Sequence, residues 1–95
     1  MAAYIIADVN VKDPAAYEEY RKVVPALVEK YGGKYLVRGG KHEVLEGHWT
    51  PARLVVLDFP SMEHARRFYG SEEYRGIQPV RAKNAVSNLV LVEGL

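Results

Sequence analysis

The chain has 95 residues, 48% hydrophobic and 26% charged, with a formal net charge of +1 near neutrality, which places it among ordinary globular proteins and excludes disordered and collagen-like chains. Its Lys and Arg residues are scattered, so no basic face is offered to a nucleic acid, and the absence of cysteine excludes disulfides, thiolate catalysis, zinc ribbons and iron–sulfur ligation. No basic leader precedes an apolar stretch, and no run approaches the roughly 18 residues of a membrane span; the expectation is one cytoplasmic domain over 1–95 without a membrane partner.

Tyr4 to Val11 reads as a strand, with Ile5, Ala7, Val9 and Val11 on one face and Tyr4, Ile6, Asp8 and Asn10 on the other. Asp13 followed by Pro14 is a helix start, since the carboxylate accepts from unpaired amides and proline suits the first helical position. Ala16, Tyr17, Tyr20, Val23, Val24, Leu27, Val28 and Tyr31 then form one apolar stripe. Pro25 falls inside this helix and predicts a kink or break near Val24. Gly32 suits the left-handed position that closes it.

Lys34 to Arg38 reads as a second strand, interrupted at Gly39 and Gly40 and resuming at Lys41, so that a long hairpin leads through Gly47 to Pro51 into the next strand. Arg53 to Ser61 is the central strand: Leu54 and Val56 point one way, Val55, Leu57 and Phe59 the other. A run apolar on both sides requires cover on both faces. Pro60 stops it, and Ser61 caps a helix whose buried stripe is Met62, Ala65, Phe68 and Tyr69. Ser71, Glu72 and Glu73 start a further short helix or helical turn carrying Tyr74 and Ile77, its length limited by Pro79. Val86 to Val92 is the last strand.

Strand, helix, strand, strand, helix, strand, joined by right-handed crossovers, gives an α+β ferredoxin-like βαββαβ fold with a four-stranded antiparallel sheet. Both helices then cover one face of the sheet, and the other, carrying Ile6 and further apolar side chains, calls for a partner. A second copy of the chain, meeting the first sheet to sheet, is the expected cover.

Tyr35–Gly40, Leu45–Gly47 with Trp49, Arg53–Ser61, Ser71–Tyr74 and Asn88–Gly94, in that order along the chain, resemble the bacterial family called domain of unknown function 1330. The resemblance implies the dimeric α+β barrel superfamily, whose relatives include cofactor-independent monooxygenases, isomerases and haem-degrading enzymes. It supplies no agreed active site to carry over.

Among the residues themselves, Arg38 stands before two glycines, where a bend exposes its guanidinium to a carboxylate ligand; the alternative is an ion pair with Glu43, Glu46 or Glu93. Arg81 has the same two readings, and lies seven residues from Tyr74, on one side of a helix. Asp8 on a middle strand needs water or a partner, and is a candidate base if buried or a structural hydrogen-bonding group otherwise. Trp49, Tyr35, Tyr69 and Tyr74 either line a pocket between sheet and helices or fill the core and the dimer interface. His42, His48 and His64 have no metal-ligand spacing and read as surface residues, so no metal and no cofactor is expected. The function classes left are a metal-independent enzyme or binder of a small carboxylate or aromatic molecule, and a non-catalytic dimeric module.

Overall fold

A computed structural model describes residues 1–95. The elements are β1 (Ala3–Val11), α1 (Pro14–Lys30), β2 (Lys34–Arg38), β3 (Leu54–Phe59), α2 (Met62–Gly70), α3 (Glu72–Asn84) and β4 (Ala85–Glu93). The sheet is antiparallel throughout, in the order β2-β3-β1-β4, which is the ferredoxin-like arrangement with β3 and β1 in the middle.

Each helix begins on the side chain expected to cap it. Asp13, Ser61 and Ser71 accept from the backbone amides of Ala16, His64 and Tyr74 respectively, at 3.1, 3.2 and 3.0 Å, satisfying donors the first turn leaves free. Gly32 closes α1 at φ +84, with its amide on Glu29 and that of Gly33 on Val28. The inner sheet face and the helices share a core of Ile5, Ala7, Val9, Leu57 and Phe59 against Tyr17, Tyr20, Val24, Val28, Phe68, Tyr74 and Ile77. Burial of these side chains, worth about 1.5–3 kcal/mol for each large one, is what holds the helices on the sheet.

Four expectations need correction. The hairpin does not resume at Lys41: residues 39 to 53 form an irregular loop, exposed from Gly39 to Thr50, because its apolar residues have no inner face to join. Of the kink or break expected near Val24 the break does not occur, since α1 continues through Pro25, and α3 likewise continues through Pro79; buried Val24 and Val28 flank the first proline, and buried Ile77 and Arg81 the second, so tertiary packing outweighs the roughly 3 kcal/mol that an interior proline costs. α3 is consequently a full helix, packed along α1. Tyr69 is exposed, since Ala65 and Phe68 already fill the face that α2 turns to the sheet.

Candidate functional site

A cavity of about 50 Å³ lies between the inner sheet face and the helices, and Tyr17, Tyr20, Tyr35 and Tyr74 line it together with Arg21, Arg38, Arg53 and Arg81. β2 supplies Tyr35 and Arg38, the last loop residue before β3 supplies Arg53, α1 supplies Tyr17, Tyr20 and Arg21, and α3 supplies Tyr74 and Arg81. A surface hollow of about 170 Å³ adjoins it, sharing Tyr17, Arg21 and Arg53 and extended by Val11, Pro14 and Glu18.

Arg38 reaches the cavity through an irregularity in β2. Tyr35 pairs with Leu57 and Val37 with Val56, leaving Leu36 as an extra residue, and Arg38 then pairs with Val55. Val55 and Leu57 share the inner face, so the extra residue puts Arg38 on the same side as Tyr35, whose ring its guanidinium approaches to 4.9 Å. Gly39 turns the chain at φ +72, and a Cβ there would stand 2.6 Å from Nε of Arg53. The close approach that this glycine permits is therefore that of the Arg53 side chain.

The cavity is electropositive and almost without counter-charge. The molecule's four ion pairs are Arg21–Glu18, Lys30–Glu73, Lys34–Asp58 and Arg67–Glu63; none engages Arg38, Arg53 or Arg81, so the expected pairing of Arg38 with Glu43, Glu46 or Glu93 is not formed. Arg81 is only 5% exposed. Its Nε–H donates to the Tyr74 hydroxyl at 3.4 Å, and its guanidinium lies 5.8 Å from the Tyr20 ring centre. Burial works against its charge, but the Tyr74 and Tyr20 oxygens outweigh burial and raise its pKa further. A buried charge without an opposite charge is an expensive arrangement, which makes Arg81 the group to explain.

Burial also raises the pKa values of Tyr17, Tyr20 and Tyr35, so their hydroxyls stay protonated and serve as donors at neutral pH. The lining contains no carboxylate and no histidine. Its chemistry is that of an anion receptor with aromatic walls.

Asp8 and Trp49 lie elsewhere. Asp8, half-buried on the outer face of β1, accepts from Nε1 of Trp49 and from the amide of Ala52, each at 2.9 Å. The Trp49 hydrogen bond holds its carboxyl below the usual value; desolvation opposes this and the Ala52 and Arg53 amides reinforce it. The carboxylate thus fastens the far end of the 39–53 loop. Tyr69 borders a different groove, of about 350 Å³, between α2 and β4, although its ring touches that of Tyr74 at 5.4 Å between centres. Of the six candidates, the fold brings Arg38, Tyr74 and Arg81 together, pairs Asp8 with Trp49 away from them, and leaves Tyr69 outside. Sequence reasoning missed Tyr17, Tyr20, Arg21 and Arg53 as cavity residues. Arg53 was within reach, because it alternates with Val55, Leu57 and Phe59 on one face of the central strand. No cluster of three His, Asp or Glu side chains is placed to hold a metal ion.

Comparison with known proteins gives two findings. Residues 2–95 match the family described as Domain of unknown function (DUF1330). Among solved structures, RPA0582, a protein of unknown function from Rhodopseudomonas palustris, matches 99% of this chain and 82% of its own at 20% identity and a TM-score of 0.77. SnoaB, a cofactor-independent oxygenase from Streptomyces nogalater, matches 99% of this chain and 93% of its own at 12% identity and a TM-score of 0.67. An antibiotic biosynthesis monooxygenase matches 100% and 99% at 17% identity and a TM-score of 0.54. At such identities the likeness is one of fold. No curated protein matches the chain at a significant level.

Proposed function

The chain belongs to the DUF1330 family, and on that premise we propose that it binds a small organic carboxylate with its acidic head in the arginine–tyrosine cavity. The single observation that carries this reading is Arg81, buried and charged with no carboxylate partner, beside two further unpaired guanidiniums, Arg38 and Arg53. A space of about 50 Å³ suits a carboxylate and is far below the ~300–1,000 Å³ of a site that swallows a whole drug-sized ligand. The body of the ligand then lies in the adjoining hollow beside Tyr17 and Arg21, where tyrosine rings favour a flat, aromatic one. In this reading Tyr74 shapes the cavity, Asp8 and Trp49 act by anchoring the loop, and no metal or cofactor is needed.

The working unit is a homodimer. Val37, Val56, Ile6 and Val90 line up across all four strands on the outer sheet face, and Val90 is 60% exposed, so a second sheet is the natural cover. Whether catalysis follows binding is a separate matter: a cavity of cations and protonated phenols stabilises an anion but holds no general base for neutral pH.

Thermal unfolding of wild type, Arg38→Lys and Arg38→Ala, each with and without millimolar benzoate, tests the reading. The expected result is a benzoate-induced rise in midpoint for wild type, reduced in Arg38→Lys because an ammonium cannot present the planar fork, and lost in Arg38→Ala. Equal shifts in all three would remove Arg38 from the site. No shift in any, with acetate and phenylacetate equally inert, would favour the other reading, a non-catalytic dimeric module, for which the small volume of the cavity speaks.

A further inference from the structure

Tyr20, Tyr74 and Arg81 make a chain of polar groups inside the core, and chemistry gives that chain a direction. A guanidinium has only hydrogens to offer, so Nε of Arg81 donates to the Tyr74 oxygen at 3.4 Å. The Tyr74 and Tyr20 oxygens are 2.7 Å apart, and one hydroxyl must donate to the other. If Tyr20 were the donor, the Tyr74 hydrogen would be left over at the more deeply buried of the two residues, for Tyr74 is 1% exposed and its hydroxyl has no other protein acceptor. With Tyr74 as donor, the hydrogen left over is that of Tyr20, a residue 9% exposed that lines the cavity.

We propose that the Tyr20 hydroxyl is the cavity's ligand-contacting donor, aimed and polarised by Arg81 through Tyr74, and that it takes one oxygen of a carboxylate. The other carboxylate oxygen faces Arg38 and Arg53 across the cavity, on the sheet wall opposite α1. Arg81 and Tyr74, which line the same cavity, act here as positioning residues: they hold a hydrogen-bond donor in one orientation, and the unpaired Arg81 charge at the head of the chain strengthens every bond after it and adds its field to that of Arg38 and Arg53. This explains why a guanidinium is buried where no acid meets it. The inference rests on the cavity being a carboxylate site.

Two readouts test it, one with a ligand and one without. Benzoate, with benzamide as its uncharged counterpart, is titrated by calorimetry into wild type, Tyr20→Phe, Tyr74→Phe and Arg81→Lys. Tyr20→Phe is expected to lose about tenfold to a hundredfold of benzoate affinity, the usual value of a hydrogen bond to a charged group. Tyr74→Phe loses part of that, and benzamide discriminates little between any of them. Benzoate bound equally by Tyr20→Phe and wild type overturns the proposal. In the ligand-free protein, with the tyrosine Cζ atoms labelled with carbon-13, Arg81→Gln should move the Tyr20 resonance, and at least half of that response should vanish in a Tyr74→Phe background. A response surviving there undiminished overturns the relay, whatever the cavity binds. If wild type binds no carboxylate while the Tyr20 response does depend on Tyr74, it is the reading of the cavity that fails, and the Tyr20 contact with it.

Discussion

Gly39 shows how much one hydrogen atom can decide. Its φ of +72 lies in the left-handed region, and a Cβ would press against Nε of Arg53 at 2.6 Å, so two penalties coincide in one substitution. Gly39→Ala should cost about 1–2 kcal/mol from the backbone alone, measured by denaturant unfolding. Arg53 should also be displaced, which a weaker benzoate response at unchanged Arg38 would reveal. A loss confined to stability would separate the glycine from the cavity. The residue scale is also where the sequence was partly legible. Two glycines after Arg38 drew attention to that arginine, but simple alternation along β2 would set Arg38 opposite Tyr35. The two share a face only because Leu36 is an extra residue, and nothing in the letters Tyr-Leu-Val-Arg marks which of them will stand out of the ladder. Tyr17 and Tyr20 fitted an apolar stripe so well that their hydroxyls went unread.

The loop between β2 and β3 illustrates the same point for whole elements. From Gly39 to Thr50 it is exposed, and its far end is held by Asp8, which takes hydrogen bonds from Trp49 and Ala52. Asp8 titrates below its ordinary value of 3.8 in the folded protein, chiefly because Trp49 donates to the charged form. For a group with a depressed folded pKa, the stabilisation is complete above the unfolded value and is lost as pH falls through the folded one. Trp49 is the single tryptophan of the chain, so its fluorescence reports the anchor directly. The emission should stay constant from pH 7 down to about 4 and change only below the ordinary value of 3.8. Asp8→Ala should show the low-pH emission at all pH values. An unchanged spectrum in Asp8→Ala would mean that something else holds the loop. Helix starts were readable because Asp13, Ser61 and Ser71 act locally, within three residues. The continuation of α1 and α3 through their prolines was not, because it depends on packing against residues distant in sequence.

At the scale of the molecule, the order of elements was enough for the fold, since a strand apolar on both sides can only be central and right-handed crossovers leave one arrangement. The same reasoning leaves the outer sheet face to a partner. Val90→Lys sets a charge at the β4 end of the apolar row it forms with Val37, Val56 and Ile6 while leaving the inner core untouched. Wild type should sediment as a dimer at micromolar concentration and Val90→Lys as a monomer of 10.7 kDa; a wild-type monomer would refute the assembly. A strand is read two residues at a time, and Leu36 acts on it as an inserted letter acts on a reading frame, exchanging inside for outside in everything that follows. Deleting Leu36 should restore regular pairing and leave Val37 outside and Arg38 inside, with benzoate binding retained. Deleting Val37 instead preserves length and composition almost as well. It leaves Leu36 next to Tyr35 as the outward residue opposite Val56, so the apolar row keeps a β2 member and Arg38 keeps its place; both deletions should bind benzoate and sediment as dimers.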